Sequence, residues 1–258
     1  MDGRAGSRRG APVTATSPVV LVAGGSSGIG AGVVRRLHGD GYRVLATYHR
    51  HPERAEALVQ ALDPDGRRLA FVPSDLADPA GPGALVDEAV ERFGRLDGVV
   101  HCAATIDTTP LDELTSEAFE RVLRTNVTAA FLLLRAAATR TTMSSAVVIS
   151  SIAATYTGPD SAAYEASKAA LSMLTRSLAD HYAPRVRINA IAPGAVETER
   201  SLAAEGFPRA MLQRRIPLGR LAEPADIAAT AAFLLSPDSA YLTGQAITVD
   251  GGLSLKLT

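Results

Sequence analysis

The sequence predicts an α/β fold in which a doubly wound, mostly parallel sheet of seven strands carries helices on both faces. Short runs of β-branched residues alternate along the chain with longer amphipathic stretches that are rich in alanine and leucine. A glycine-rich turn joins the first such run to the first amphipathic stretch. Strands that alternate with helices in this way form parallel sheets, because each helix returns the chain to the start of the next strand.

The opening unit shows this alternation most clearly. Its first strand contains the apolar run Val19-Val20-Leu21-Val22. The predicted parts are a strand at residues 18–23, a glycine-rich turn at 24–30, a helix at 31–39 and a strand at 43–47. In such a βαβ unit the turn lets the backbone approach a pyrophosphate, and the helix N-terminus offers free N–H groups to it.

The later elements repeat the pattern. Further helices are predicted at residues 52–62, 84–93, 117–141, 162–182 and 224–235. Further strands are predicted at residues 69–73, 96–100, 146–149, 186–191 and 246–249. Residues 199–220 are expected to form a mobile lid with a partly apolar wall. Its basic residues either meet an anionic substrate or are simply solvated, and they are Arg209, Arg214 and Arg215.

Composition narrows the class of protein. At 258 residues, without an internal repeat or linker, the chain is expected to form a flexible tail at residues 1–17 and a single domain at residues 18–258. The 26 basic and 27 acidic residues nearly balance, which argues against a nucleic-acid-binding protein. No apolar run reaches the ~18 residues of a membrane span. The single cysteine, Cys102, excludes an internal disulfide and a cysteine-based zinc cluster, so we expect a cytoplasmic protein without a metal site.

Ser151, Tyr164 and Lys168 form the strongest candidate for a catalytic site. Tyr164 and Lys168 are four residues apart, so a helix places both on one face. An ammonium beside a phenol lowers the phenol pKa from about 10, and such a phenol can exchange a proton with a carbonyl or carbinol oxygen. Ser151, at the end of the preceding strand, could hydrogen-bond the same oxygen. Taken alone, however, a Tyr-x-x-x-Lys pair is also common on ordinary helix surfaces.

The chain resembles the short-chain dehydrogenase/reductase superfamily from residue 19 to residue 253. The resemblance rests on the glycine spacing Gly24-x-x-x-Gly28-x-Gly30, on Ser151 and on the motif Tyr164-x-x-x-Lys168. The resemblance implies a Rossmann-type fold and four catalytic residues, which are Asn126, Ser151, Tyr164 and Lys168. Asn126 is then expected to kink its helix and to hold a water in a proton relay to Lys168. The glycine-rich turn is expected to bind a nicotinamide dinucleotide through Gly24, Ser26, Ser27, Gly28, Ile29 and Gly30.

The resemblance implies further cofactor contacts at the ends of other strands. Asp75 is expected to hydrogen-bond the adenine amino group, with Leu76 nearby. The other implied contacts are Ala103, Ala104, Tyr164, Lys168, Pro193, Gly194, Val196 and Thr198. From the residues alone, Asp75 is equally typical of a turn, and Asn126 is equally typical of a buried hydrogen bond in an apolar helix.

The residues after the second strand bear on the choice of cofactor. No acidic residue stands about 20 residues beyond the glycine-rich turn, where one would bind the ribose of NAD. His49 and Arg50 stand there instead and could pair with the 2′-phosphate of NADP(H). Ser27 argues the other way, since many relatives that use NADP carry a basic residue at its position. A solvated loop of mixed charge is the plain alternative. We predict NADP(H), with NAD(H) as the alternative.

Two positions depart from the pattern of the superfamily. The fourth strand ends in His101-Cys102-Ala103-Ala104, where relatives carry an asparagine that steadies the central sheet. His101 is predicted to be structural rather than a catalytic base, because it lies at a strand end away from the reacting ring. Ala23 stands where relatives carry a threonine, so a side-chain hydrogen bond of the turn is expected to be lost.

These features predict an NADP(H)-dependent oxidoreductase that transfers a hydride between nicotinamide and a carbonyl or secondary alcohol. We favour a ketoreductase of 3-oxoacyl-type or secondary-metabolite substrates. An NAD-dependent alcohol, sugar or steroid dehydrogenase is the alternative, and a non-catalytic, cofactor-binding regulator is the third interpretation. The apolar faces of the helices at residues 117–141 and 162–182 exceed what one sheet face needs. Relatives pair these helices across a two-fold axis, so a homodimer or homotetramer is expected.

Overall fold

The computed structural model describes residues 17–158, 161–203 and 207–256, so the predicted N-terminal tail lies outside the described residues except for Ser17. The strands are β1 (Val19–Ala23), β2 (Arg43–Tyr48), β3 (Leu69–Pro73), β4 (Gly98–His101), β5 (Ser145–Ile149), β6 (Arg187–Pro193) and β7 (Ala246–Val249). They form one sheet in the order β3-β2-β1-β4-β5-β6-β7, and every neighbouring pair is parallel. The predicted doubly wound, seven-stranded sheet is confirmed.

Helices connect these strands on both sides of the sheet. They are α1 (Gly28–Gly39), α2 (Pro52–Leu62), α3 (Gly81–Phe93), α4 (Ser116–Leu123), α5 (Ala129–Arg140), α6 (Ala162–Tyr182), α7 (Glu199–Ala203), α8 (Arg209–Arg215) and α9 (Pro224–Leu235). The strand order reverses between β1 and β4. At such a switch point the loops leave the sheet in opposite directions and open a crevice at the carboxyl ends of the strands.

The side-chain alternation of β1 divides the core into two layers. Val19 and Leu21 pack in the layer that contains α3, α5 and α6, whereas Val20 and Val22 pack in the layer that contains α1 and α9. All residues of β1 are buried, as expected for a central strand covered on both faces. Each fully buried valine or leucine stabilises the fold by about 1.5–3 kcal/mol. The two layers therefore hold the strands firmly in place, and with them the crevice at the carboxyl ends of the strands.

The predicted helix at residues 117–141 is not continuous. The structure divides it into α4 and α5, which are joined by a π-helical segment at Arg124–Thr128. Such segments insert one residue into a helix and are frequent at functional sites. By contrast, α6 has the predicted bounds, because Pro184 follows its end and cannot extend the helix.

The predicted lid at residues 199–220 contains two short helices, α7 and α8, and its residues 204–206 lie outside the described residues. The side chains of Phe207 and Leu212 pack against a small core cluster formed by Ile216, Leu221 and Leu253. The segment is therefore anchored to the rest of the domain at its C-terminal half.

Candidate active site

Helix α6 places Tyr164 and Lys168 at the carboxyl ends of β4 and β5. Lys168 is 2% exposed, and its Nζ donates a hydrogen bond to the carbonyl oxygen of Ile149 at 2.7 Å. The same Nζ lies 5.4 Å from the centroid of the Tyr164 ring. Burial lowers the pKa of Lys168 to about 8, because an ammonium is poorly solvated there.

The Ser151 hydroxyl and the Tyr164 phenol meet at the end of β5. Burial raises the pKa of Tyr164, while its hydrogen bond with Ser151 and the charge of Arg200 act in the opposite direction. The expectation of a lowered phenol pKa is therefore wrong, because burial outweighs the neighbouring groups. A phenol of this kind is protonated at neutral pH and available as a proton donor.

Asn126 lies within the π-helical segment and ties three parts of the site together. Its Oδ1 accepts a hydrogen bond from the Thr105 N–H at 2.8 Å, and its Nδ2 donates to the Thr105 carbonyl at 2.9 Å. The Nδ2 also donates to the Ser167 hydroxyl on α6 at 2.9 Å. The side chain of Asn126 is fully buried, so these bonds fix the loop after β4 relative to α6.

The glycine-rich turn has the close backbone approach that a dinucleotide requires. A Cβ on Gly30 would lie 2.0 Å from the Gly24 carbonyl oxygen, so only glycine fits there. Gly24 and Gly28 have φ angles of +79° and +51°, which favour glycine. Ser27 precedes α1 without a side-chain capping bond, which leaves the N–H groups of the first turn free for a phosphate.

Thr47 supplies a hydrogen bond to this turn that sequence analysis did not anticipate. Its Oγ1 accepts from the Gly24 N–H at 2.9 Å, and Thr47 is 2% exposed. A buried hydroxyl from β2 therefore holds the turn in this chain, in which the methyl side chain of Ala23 cannot form a hydrogen bond. A polar residue at the end of the apolar run of β2 was the available signal.

The remaining predicted contacts lie around the same crevice. Ala103 packs directly on the glycine-rich turn, since a Cβ on Gly24 would lie 2.8 Å from its backbone. Thr198 lies beside the other end of the turn, with its Cγ2 3.3 Å from the position of a Cβ on Gly28. Pro193 ends β6, and Gly194 is pressed against Asp250. Leu76, Ile29 and Val196 pack mainly against the core.

His49 and Arg50 lie at the exposed end of β2. The sequence analysis predicted that they bind the 2′-phosphate of NADP(H). His49 Nε2 is 3.9 Å from Asp75 Oδ2, so a carboxylate shares this corner with the imidazole. Asp75 also closes its own turn by accepting from the Ala77 N–H at 2.9 Å. Arg50 is exposed, and among the described residues no carboxylate lies within 4 Å of its guanidinium.

His101 is fully buried at the end of β4, and neither ring nitrogen has a hydrogen-bond partner among the described residues. Burial and the charge of Lys168 lower the pKa of His101 to about 3. An imidazole with so low a pKa is neutral at working pH and accepts a proton poorly, which agrees with a structural role rather than that of a base. His101 is nevertheless close enough to Lys168 for the ammonium charge to lower its pKa, so it is not remote from the site.

Arg200 is the residue near the site that sequence analysis missed. It lies on α7, and its Nη1 donates to the Ala104 carbonyl at 3.3 Å. Two of the three predicted arginines are engaged elsewhere, since Arg209 pairs with Glu197 at 2.6 Å and Arg215 donates to the Lys256 carbonyl at 3.1 Å. No local pattern marks Arg200, because its position depends on how α7 packs across the crevice.

Metal-ligand clusters and membrane-spanning helices are absent from the part of the chain that the structure describes. No group of three or more His, Cys, Asp or Glu residues is arranged to hold a metal ion there. Within the same residues, no helix has both the length and the apolar character needed to cross a bilayer.

Comparison with known proteins gives the family. A family model described as enoyl-(acyl carrier protein) reductase matches residues 23–254. The 3β-hydroxysteroid dehydrogenase 1 of Eggerthella lenta is 38% identical over 245 residues, which span 92% of this chain and 93% of that protein. A short-chain dehydrogenase/reductase structure from Serratia marcescens is 34% identical, with a TM-score of 0.85, and covers 92% of this chain and 98% of its own. The chain belongs to the short-chain dehydrogenase/reductase family.

Other members of the family are similar over the same length. The 3-oxoacyl-(acyl-carrier-protein) reductase of Staphylococcus aureus is 32% identical over 237 residues, which span 90% of this chain and 96% of that protein. A structure of the actinorhodin polyketide ketoreductase with NADPH has a TM-score of 0.86 at 29% identity and covers 94% of this chain and 99% of its own. As a short-chain dehydrogenase/reductase, the chain is an oxidoreductase that acts on hydroxyl or carbonyl groups, and its family binds NAD(P).

Proposed function

We propose that this protein is a ketoreductase that uses NADPH to reduce a substrate carbonyl to a secondary alcohol. The meeting of the Ser151 hydroxyl, the Tyr164 phenol and the buried Lys168 ammonium at one edge of the sheet carries this proposal. The glycine-rich turn fits a dinucleotide on the same edge, because a Cβ on Gly24 or Gly30 would collide with backbone. When bound, the nicotinamide cofactor supplies or accepts the hydride.

The side chains of this site divide the remaining work. Ser151 donates a hydrogen bond to the substrate oxygen and thereby orients the carbonyl. Tyr164 gives its phenolic proton to that oxygen in reduction and takes a proton from the alcohol in oxidation. Lys168 holds positive charge beneath the phenol, which stabilises the phenolate as it forms, and binds the nicotinamide ribose. Asn126 fixes the loop after β4 and anchors the relay that returns a proton to Lys168.

The protonation states favour reduction. Burial raises the pKa of Tyr164, so the phenol carries its proton at neutral pH and is ready to donate it. The reverse reaction needs the phenolate first, and the buried site provides that form only at higher pH. The 3-oxoacyl reductase and polyketide ketoreductase relatives support the same direction.

The preference for NADPH rests on Arg50. Its guanidinium is exposed at the end of β2 without a carboxylate partner among the described residues, so it can form charge-assisted hydrogen bonds with a 2′-phosphate. His49 lies beside it and adds a second donor. The NADPH-bound actinorhodin ketoreductase is a neighbour of the same fold and supports this choice.

A second function has specific support. The carboxylate of Asp75 lies 3.9 Å from His49, and a negative charge at this corner opposes a 2′-phosphate. In this alternative the protein is an NAD-dependent alcohol, sugar or steroid dehydrogenase, as the similarity to the 3β-hydroxysteroid dehydrogenase suggests. The two functions share the catalytic residues and differ in cofactor and direction.

We also propose that the protein assembles as a homodimer or homotetramer in the cytoplasm. Met173 on α6 is 60% exposed, and a large apolar side chain on this helix suits burial against a second copy. The single free cysteine suits a reducing compartment. Sedimentation velocity of the wild type and of Met173→Glu tests the assembly. We expect a dimer or tetramer that the substitution weakens, and a monomeric wild type would contradict it.

Steady-state assays on a broad panel of ketones and secondary alcohols test the enzymatic proposal. Each compound is assayed with NADPH or NADH for reduction, and with NADP⁺ or NAD⁺ for oxidation. We expect ketone reduction with NADPH to give the highest kcat/KM. Alcohol oxidation with NAD⁺ as the highest value would favour the second function. Binding of NADPH without turnover of any compound would favour a non-catalytic regulator.

A further inference from the structure

The two described acidic residues beside Arg200 do not balance its positive charge. Glu197 pairs with Arg209 at 2.6 Å, and Glu199 pairs with Arg54 on α2 at 2.9 Å. Among the described residues, no carboxylate lies within 4 Å of the Arg200 guanidinium. One N–H of Arg200 donates to the Ala104 carbonyl at 3.3 Å, and its other donors have no partner among the described residues.

The position of Arg200 is at the reacting end of the crevice rather than at the diphosphate end. Its contact, Ala104, follows β4 on the side of Asn126 and the loop at Thr105. Its charge lowers the pKa of Tyr164 and also that of Lys168, so it lies near both groups. Two residues earlier, Thr198 lies instead against Gly28 of the glycine-rich turn. The segment therefore places Thr198 beside the glycine-rich turn and Arg200 near Tyr164 and Lys168.

We propose that Arg200 is a specificity-determining residue that binds an acidic group of the substrate, so that the preferred substrates are oxo acids rather than neutral ketones. This inference rests on the proposed function and narrows it to substrates that carry a carboxylate close to the reacting carbonyl. A guanidinium pairs with a carboxylate through two parallel N–H···O bonds, and such bonds are stronger than neutral ones. Among the described residues no carboxylate pairs with this guanidinium, so a bound carboxylate would supply the opposite charge.

Matched substrates separate this role from a general effect on catalysis. Oxo acids with the carbonyl at the second, third or fourth carbon are each compared with their methyl esters, with NADPH as the cofactor. The wild type is expected to prefer the acid over its ester in kcat/KM by about 10-fold or more. Arg200→Met should reduce that acid-to-ester ratio by about 10- to 100-fold, whereas Arg200→Lys should keep most of it.

Arg214→Met is the matched control, because Arg214 lies in the same segment and has no ion pair within 4 Å among the described residues. It removes the same charge and should leave the acid-to-ester ratio at the wild-type value. Melting temperatures of all variants confirm that the fold is intact.

Three results would overturn the inference. In the first, the wild type has the same kcat/KM for acids and their esters. In the second, Arg200→Met lowers kcat/KM equally for the acid and the ester. In the third, the variant raises only the KM for NADPH. The last result would assign Arg200 to the cofactor diphosphate. If esters or neutral ketones are still reduced, any of these results would leave the proposed function intact. If no carbonyl compound is reduced, the proposed function itself is refuted.

Discussion

At the scale of single residues, burial decides the protonation states more than neighbouring charges do. Burial raises the pKa of Tyr164 and lowers the pKa values of Lys168 and His101. The sequence could show that a phenol and an ammonium share a helix face, but it could not show how deeply each is desolvated. That depth follows from the packing of α6 against the sheet.

His101 should make the stability of the protein depend on pH. Its pKa is about 3 in the folded state and about 6.5 when unfolded, so the unfolded chain binds the extra proton between these values. The free energy of unfolding should therefore fall as pH falls from about 6.5 toward 3. At full effect, this contribution is about 1.4 kcal/mol per pH unit.

His101→Asn tests this effect by removing the titrating group while keeping a polar side chain. Urea unfolding between pH 7 and pH 4 should give a shallower decline for the variant than for the wild type, because other titrating groups contribute equally to both. Parallel curves for the two proteins would show that His101 finds a partner in the fold and does not contribute.

Arg50 should determine the choice of cofactor. Arg50→Ala removes charge-assisted hydrogen bonds to a 2′-phosphate, so the KM for NADPH should rise about 10- to 100-fold. The KM for NADH should change little, because NADH has no phosphate at that position. Arg67→Ala is the control, since Arg67 pairs with Asp65 in the loop before β3. Equal effects of Arg50→Ala on both cofactors would refute the role of Arg50.

At the scale of elements, local signals predicted most helices and strands but not the interruption between α4 and α5. Pro52 and Pro224 begin their helices, and Pro184 follows the end of α6, so these bounds could be read from the sequence. The π-helical segment depends instead on bonds from Asn126 to Thr105 and Ser167, which are 21 and 41 residues away. A distant partner of this kind leaves no local pattern, and only the family resemblance implied a kink.

Replacement of Asn126 should therefore destabilise the fold by more than the loss of a single hydrogen bond would. Asn126→Ala leaves the N–H and carbonyl of Thr105 without their side-chain partner, and we expect a loss of about 2–4 kcal/mol in the free energy of unfolding. Ser167→Ala removes only one of these bonds and should cost about 1 kcal/mol. Urea unfolding of both variants measures the difference, and equal losses would show that the loop at Thr105 is not held by Asn126.

At the scale of the whole molecule, parallel strand order brings distant residues to one edge. Ser151 follows β5, Ala103 and Ala104 follow β4, and the glycine-rich turn follows β1, so one crevice receives all of them. The sequence predicted this convergence because the βαβ pattern specifies the sheet. It did not predict Arg200, because α7 reaches the crevice from outside the strand pattern and its contact with Ala104 spans 96 residues.

The turnover of Tyr164→Phe, measured together with its affinity for NADPH, tests the central claim most directly. Phenylalanine keeps the ring that packs near Lys168 but cannot give a proton to the substrate oxygen. We expect kcat for ketone reduction to fall by about 100- to 10,000-fold, with the Kd for NADPH within about threefold of the wild-type value. Turnover close to that of the wild type would contradict the assignment of Tyr164 as the proton donor.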